Sequence, residues 1–282
     1  MLTKRPDRLS ALIQRFRVEA KMQTMAVRDV PDDSGPRRAP NLFVVGRDRL
    51  QILRDGLPSF DCEGPMVVFF PRGAPPDLEI RSDDPASDYV CASVDTGGDA
   101  NPIALALPDA VAVTLNEAHS LQAVTDLLLD EALSPRCGGS AVIDRLCEIL
   151  VIRLLRHLIE GDEAKVGLIA GLAHPNLSLA IVAIHDRPNK TWRLEDLAGL
   201  AAMSRTHFAN TFRDVVGVTP GEYLSNWRLT LARMEIAKGT SVKVAAKKVG
   251  FASAASLSRA FSRRFGRSPR NEFARLYQSK SA

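Results

Sequence analysis

The C-terminal third of the chain repeats itself. Ser204, Phe208, Phe212, Gly217 and Pro220 recur 49 positions later as Ser253, Leu257, Phe261, Gly266 and Pro269. Upstream of each serine, Leu194, Leu197 and Ala198 answer Val242, Ala245 and Ala246 at an offset of 48, so the intervening turns differ by one residue. Apolar residues three and four apart, repeated at this distance, describe one helical unit used twice. Each copy predicts a short helix, a tight turn and a longer second helix: a helix-turn-helix, present twice.

Local chemistry agrees with the pattern. In the first copy Leu194, Leu197 and Ala198 form a buried side, Met203 packs the turn, and Ser204 is placed to cap the next helix through an orphan N–H. Phe208 and Phe212 share one face. At about 100° per residue, Thr206, Asn210 and Arg213 fall opposite them, with Ala209 beside. In the second copy Ser241 and Ser253 are the expected caps, and Gly250 occupies a turn position suited to a positive φ. Leu257, Phe261 and Phe265 are expected to face inward, and Ala255, Arg259 and Ser262 outward.

Charge divides along the same boundary. From His174 to the C-terminus there are 18 Lys and Arg against 7 Asp and Glu. The preceding 173 residues hold the remaining 19 basic and 26 acidic side chains of a chain whose net charge is only +4. An acidic front and a basic back point to a polyanion as partner of the back. Arg259, Arg263, Arg264, Arg267 and Arg270 are its densest run. An isolated charge run would more simply be a solvated face; on the second helix of a repeated helix-turn-helix, nucleic acid is the better reading.

The segment from TWRLEDLAGLAAMSRTHFANTF to VGFASAASLSRAFSRRFGRSPRNEFARLY resembles the tandem helix-turn-helix domain of AraC-type transcription regulators. The resemblance covers about 100 residues, and its most specific part is VGF-x-S-x-x-x-L-S-R-x-F-x-R-x-F-G-x-S-P. The family often has an aromatic at Leu257 and a glycine at Ala202; alanine is tolerated at the latter unless the turn requires a positive φ. The resemblance implies a long helix over Ser225 to Ile236 joining the motifs, with Trp227, Leu231 and Met234 on its buried side. It also implies double-stranded DNA as partner, with recognition helices entering successive major grooves about 34 Å apart. By register, Thr206, Ala209 and Asn210 face bases from the first helix and Ala254, Ala255 and Arg259 from the second, with Ser253 and Ser256 beside them. Asn210 suits adenine and Arg259 guanine, while the alanines offer methyl contacts. Arg205, Arg213, Lys247, Lys248 and Arg263 are the expected phosphate contacts, and a phosphate-only role for Arg259 remains the alternative.

The front of the chain predicts an amphipathic helix over the first 25 residues or so, carried by Leu9, Leu12, Ile13 and Phe16, with no continuous apolar core of a secretion signal. Asp29 to Pro40 reads as a loop. LFVVG, RLQILRDG, MVVFFPRG, DLEIR, DYVCASV and DAVAVTL then read as short strands of a small barrel or sandwich. EGPMVVFFPRGAPPDLEI, YVCASVDTGGDANPIALALP and SPRCGGSAVIDRLCEILVIRLLRHLIE resemble the cupin-like N-terminal domain of one branch of the same regulators. Relatives often carry a histidine after PRGAP, where Pro76 and Asp77 stand here. No histidine lies between Asn41 and Leu115, so a histidine metal centre cannot be assembled from the barrel, and no metal or cofactor is expected. Glu63, Asp77 and Glu79 are scattered carboxylates rather than a cation site.

Cys62, Cys91, Cys137 and Cys147 fit neither a zinc-knuckle nor a CxxC spacing. Inert thiols are the simpler reading; redox sensing is the sharper one. For the latter, Cys91 occupies the cysteine-containing strand of the family, and Cys137 stands beside Arg136 in a helix-start loop. Leu121 to Leu133 and Ala141 to Glu160 predict an antiparallel helix pair. The abundant apolar surface of the second helix suggests a homodimer contact beyond its packing within the domain. Val166 to His185 contains no Asp, Glu, Lys or Arg and is long enough to span a bilayer, but Pro175-Asn176 and two glycines interrupt it.

These readings combine into an α+β chain: a cupin-like β-barrel with flanking helices, then an all-α tandem helix-turn-helix domain. Residues 1–162 form the expected sensor and dimerisation domain (barrel about 25–115, helices about 116–160), 163–175 a linker and 176–282 the DNA-binding domain. The expected function is a cytoplasmic, non-enzymatic, sequence-specific transcription regulator that answers a small molecule or an oxidant, with RNA polymerase as a partner if it activates, and no membrane. The competing class is a cupin-domain binding protein or enzyme with secondary DNA binding.

Overall fold

The computed structural model describes residues 7–15, 18–24, 40–46, 49–54, 57–75, 78–82, 89–96, 101–134, 136–161 and 166–278. It divides into two compact units, Ile13–Gly161 and Asp162–Ala282, the latter joined by the N-terminal segment through Leu12. The expected loop over 29–40 lies outside the described residues apart from Pro40, as do Pro76 and Asp77.

Among its described residues, the unit over Ile13–Gly161 has eight strands: β1 Glu19–Thr24, β2 Leu42–Val45, β3 Arg49–Arg54, β4 Leu57–Glu63, β5 Met66–Phe69, β6 Leu78–Ser82, β7 Tyr89–Asp95 and β8 Val111–Thr114. They form a five-stranded sheet in the order β1-β7-β2-β5-β8 and a three-stranded sheet in the order β4-β3-β6. Every pairing is antiparallel. Side chains alternate across a pleated strand, so Phe43 and Val45 of β2, Ile52 of β3, Val68 of β5, and Tyr89 and Cys91 of β7 meet with Phe70 in one apolar core. Phe43 and Phe70 contact edge to face at 6.0 Å. Asn41 is buried at the sheet end, yet its amide donates to the carbonyls of Phe70 and Val94 and accepts from the Val94 N–H, so its burial leaves no polar atom wanting.

Among the described residues of the first 25, helix is found in α1, Ser10–Arg15, started by the Asp7 carboxylate accepting from the N–H groups of Leu9 and Ser10. Glu19–Thr24 is instead an edge strand on β7, a pairing across about seventy residues that local periodicity cannot reveal. β4 is a second strand absent from the sequence reading. α2, Pro102–Ala106, begins with Asn101 accepting from the Ile103 N–H and ends with Arg72 donating to the Ala104 and Leu107 carbonyls. α3, His119–Leu133, and α4, Gly139–Glu160, pack together where a helix pair was expected, burying Leu121 and Leu128 of α3 and Leu146, Leu150, Leu154 and Leu158 of α4.

The second unit is helical: α5 Leu168–Ala173, α6 Leu177–Asp186, α7 Leu194–Leu200, α8 Arg205–Val216, α9 Pro220–Ala237, α10 Val242–Val249, α11 Ala254–Phe265 and α12 Pro269–Gln278. The stretch read as a linker thus contains a buried helix, α5. It sits so close to α6 and α8 that a Cβ on Gly171 would lie 2.6 Å from Ile181 Cδ1 and 2.9 Å from Val216 Cγ2. Leu9 and Leu12 are buried, and Arg8 donates to the Ala173 carbonyl at 3.3 Å. Pro175 falls between α5 and α6, and among the described residues no helix is long and apolar enough to cross a membrane.

Candidate nucleic-acid interface

The first helix-turn-helix is α7, its turn and α8. Ser204 Oγ accepts from the His207 N–H and sets the start of α8. Phe208 and Phe212, with ring centroids 5.5 Å apart, are completely buried, and Val216 is buried on the same helix. Gly217 closes the helix at φ 84°. With this face fixed, Thr206, Asn210 and Arg213 are exposed on the other and Ala209 is half-buried beside them. The turn does require the left-handed region: Ala202 has φ 51°, and among the described residues it alone of the non-glycines has a positive φ. Arg205 is exposed, but its guanidinium donates to Glu195 Oε1 at 2.6 Å, across from α7. The Glu195 carboxyl is held below the usual carboxylate range by its own backbone N–H and then by Arg205. Arg205 is therefore a cation already held by an intramolecular carboxylate.

The second copy repeats the construction with different detail. Ser241 caps α10 by accepting from the Val244 N–H, and Gly250 ends it at φ 90°. Ser253 and Ser256 cap α11 reciprocally, each hydroxyl accepting from the other residue's N–H at 3.1 Å. Leu257, Ala260 and Phe261 are buried. Phe265, expected to face inward, is half-buried: its ring packs on Phe261 at 4.6 Å and lies 5.2 Å under the Arg233 guanidinium. Ala255, Arg259 and Arg263 are exposed, as is Ser253, with Ala254, Ser256 and Ser262 half-buried. Lys247 is exposed; Lys248 donates to Glu235 Oε2 at 2.6 Å, and this bond is the main reason that carboxyl is held low.

α9 carries both motifs. Thr219 caps it and Pro220 opens it. It starts earlier than the expected Ser225. Trp227 and Leu231 are buried as expected, and Met234 is half-buried. Toward the first motif, the fully buried His185 of α6 stacks on Trp227 at 4.0 Å and shares a 2.7 Å hydrogen bond between Nε2 and the Tyr223 hydroxyl. Burial pushes the Tyr223 phenol far up. Toward the second, Arg233 donates to the buried Glu272 of α12 at 2.6 Å. Two polar faces, each on an amphipathic helix, are thus joined by one helix, α9, that is anchored to elements on both sides.

A cupin family profile matches residues 7–160, more than half of the 282 residues, and a helix-turn-helix domain profile matches residues 197–275. The chain belongs to the AraC-type family, with a cupin unit before its helix-turn-helix unit. Among relatives of this AraC-type chain, the HTH-type transcriptional regulator AlkR of Acinetobacter baylyi is 40% identical over 48% of this chain and 44% of its own. The RCS-specific HTH-type transcriptional activator RclR of Escherichia coli is 34% identical over 54% of each. The chain thus spans about half the length of the curated relatives it matches. Among solved structures, the DNA-binding domain of AdpA in complex with a target DNA is 28% identical, covering 36% of this chain and 91% of that domain, with a TM-score of 0.34.

The cupin unit of this AraC-type chain holds the thiols. Cys91 is buried in the core between the sheets, Cys137 is exposed, and Cys62 lies in β4. Cys147 is buried, and its thiol is pushed up to about 12, by burial first and then by the charges of Asp144, Glu148 and Cys91. Arg136, the charge expected to favour a Cys137 thiolate, is itself paired with Asp130 at 2.9 Å and Glu131 at 3.3 Å. Among the described residues no three His, Cys, Asp or Glu side chains are grouped to hold a metal ion. The pairings of Glu195 and Glu235 had no sequence signal, since ten and thirteen positions separate partners that no helical spacing connects.

Proposed function

We propose that the chain reads a specific operator in double-stranded DNA through α8 and α11, each helix entering one major groove. The observation that carries this is the twice-built polar face: Thr206, Asn210 and Arg213 on one helix, and Ala255, Arg259 and Arg263 on the other, each backed by buried aromatic or aliphatic side chains. Asn210 contacts adenine and Arg259 guanine, while Thr206, Ala209, Ala254 and Ala255 complete the base-facing set. Arg205, Arg213 and Arg263 contact phosphates, and Ser253 and Ser256 work mainly by fixing the start of α11.

The cupin unit supplies dimerisation and signal reception, RNA polymerase is the further partner if the chain activates, and the cytoplasm is the compartment. For an oxidant signal the exposed Cys137 is reached before the buried Cys91, which responds only when the core between the sheets opens. An unchanged promoter response to hydrogen peroxide in a chain carrying Cys91→Ser and Cys137→Ser would exclude oxidant sensing by these thiols and leave a small-molecule effector.

The deciding experiment is selection of bound sequences from a random duplex pool by the purified chain at fixed physiological salt. Two conserved blocks about one helical turn apart are expected. Salt-sensitive binding without an enriched motif would reduce the function to non-specific phosphate binding.

A further inference from the structure

Three chain segments meet at Arg228. This residue stands on α9, next to the buried Trp227, and its side chain leaves the helix toward the loop between α6 and α7. Its Nε donates to the Pro188 carbonyl at 2.7 Å, and its Nη2 donates to the Lys190 carbonyl at 2.9 Å. The guanidinium therefore grips, with two donors in a fixed fork, the loop that leads into the first helix-turn-helix. The same group lies against the turn of the second. A Cβ built on Gly250 would sit 3.1 Å from both Arg228 Cζ and Nη2, and only 2.7 Å from the Cα of Asn189. Gly250, at φ 90°, is thus constrained twice, by its backbone conformation and by the closeness of Asn189 and Arg228.

This junction has a consequence for recognition. Two recognition helices on one rigid body read two blocks whose separation is set by the displacement and rotation between the motifs. α9 holds one motif through His185 and the other through Glu272 and Glu235, but none of these contacts joins the two motifs to each other. The junction supplies that direct link, because loop 188–190 and the Gly250 turn belong to opposite motifs and touch through Arg228. We propose that Arg228 is a positioning residue that, with Gly250, sets the spacing and phase at which the two operator blocks are read. It contacts no base in this role; it acts through the relative placement of α8 and α11. The inference rests on the two-block reading above.

The test uses the full chain and fluorescence anisotropy on duplexes carrying the two selected blocks at their selected spacing, at spacings altered by one to three base pairs, and each block alone. The wild-type chain is expected to prefer one spacing sharply. Arg228→Ala is expected to weaken binding at that spacing roughly ten-fold, since simultaneous engagement then has to be reached from a distribution of geometries, and to flatten the spacing profile with single-block affinity unchanged. Arg228→Lys keeps the charge but offers a single ammonium in place of the fork, so the same flattening is expected, and it carries the test should the alanine variant fail to fold. A uniform loss on every duplex, single blocks included, would make Arg228 an ordinary phosphate or stability contact. A spacing-selective wild type with equally selective Arg228→Ala and Arg228→Lys chains would overturn the junction alone. A wild type indifferent to spacing would overturn the two-block reading and the junction with it.

Discussion

Ala202 shows how one side chain can conflict with the turn that contains it. At φ 51° its Cβ crowds the following carbonyl, which costs about 1–2 kcal/mol for an L-residue and nothing for glycine. Glycine carries a larger unfolded-state entropy, worth about 0.5–1 kcal/mol in the opposite direction. The strain term exceeds the entropy term, so Ala202→Gly is expected to stabilise the helix-turn-helix unit by about 0.5–1 kcal/mol. In a urea melt the midpoint should rise; a fall would show that this turn is unstrained. A second residue-scale effect is electrostatic. The exposed Glu195 holds Arg205 at 2.6 Å, so DNA phosphate has to compete with a carboxylate for that guanidinium. Glu195→Gln should raise affinity a few-fold for specific and random duplexes alike and steepen the dependence of log affinity on log salt by up to about one unit. Titrations at several salt concentrations measure both, and an affinity and slope both unchanged would mean that Glu195 does not restrain Arg205 from phosphate.

At the scale of the element, α6 has an unusual start. His174 Nδ1 accepts from the N–H groups of Asn176 and Leu177, both at 3.2 Å, doing with an imidazole what a serine does for α8. The bond requires Nδ1 without a proton, and desolvation followed by the charge of His207 lowers the His174 pKa below 6.5. With the folded value depressed, the unfolded chain binds the proton more readily. The stability contributed by this cap is therefore complete above the unfolded value of 6.5 and is lost as pH falls through it toward the folded value. Wild type should lose more stability between pH 7.5 and 5.5 than His174→Asn, whose amide oxygen accepts without titrating; parallel urea midpoints for the two chains would exclude the cap as the cause. Elements such as α8 and α11 were legible in the sequence because their determinants are local: a serine cap, aromatics four apart and a closing glycine, repeated at a fixed offset. The same local logic read Glu19–Thr24 as helix, since its partner in β7 lies about seventy positions away, and it could not see β4, whose Leu57–Glu63 pairs with β3. At the candidate interface, it placed Thr206, Asn210, Arg213, Ala255 and Arg259 in solvent, where they are, and Ser262 there too, which is half-buried; it did not show that Glu195 and Glu235 would hold two of the cations.

For the whole molecule, the question is how many operators one assembly reads. α4 buries its leucine row within the cupin unit, which satisfies most of the apolar surface that suggested a dimer. A remainder stays outside: Val142 and Ile149, two turns apart on one line of α4, are 42% and 43% exposed, and Leu127 and Leu133 of α3 are 50% exposed each. Exposed aliphatic side chains on two packed helices are the kind of surface that a twofold axis covers with itself. The homodimer proposed above would use Val142 and Ile149 of α4 and present two pairs of recognition helices, so its avidity would be felt only on DNA carrying two operators. Val142→Lys with Ile149→Lys places charge at positions already in solvent, where the effect on folding is small. Sedimentation velocity at micromolar concentration should then change from dimer to monomer. Affinity for paired operators should fall on the order of 10²-fold while affinity for one operator is unchanged. A wild-type chain that sediments as a monomer, or a double-lysine chain that remains dimeric, would move the interface away from α4 and leave the exposed valine and isoleucine as ordinary surface.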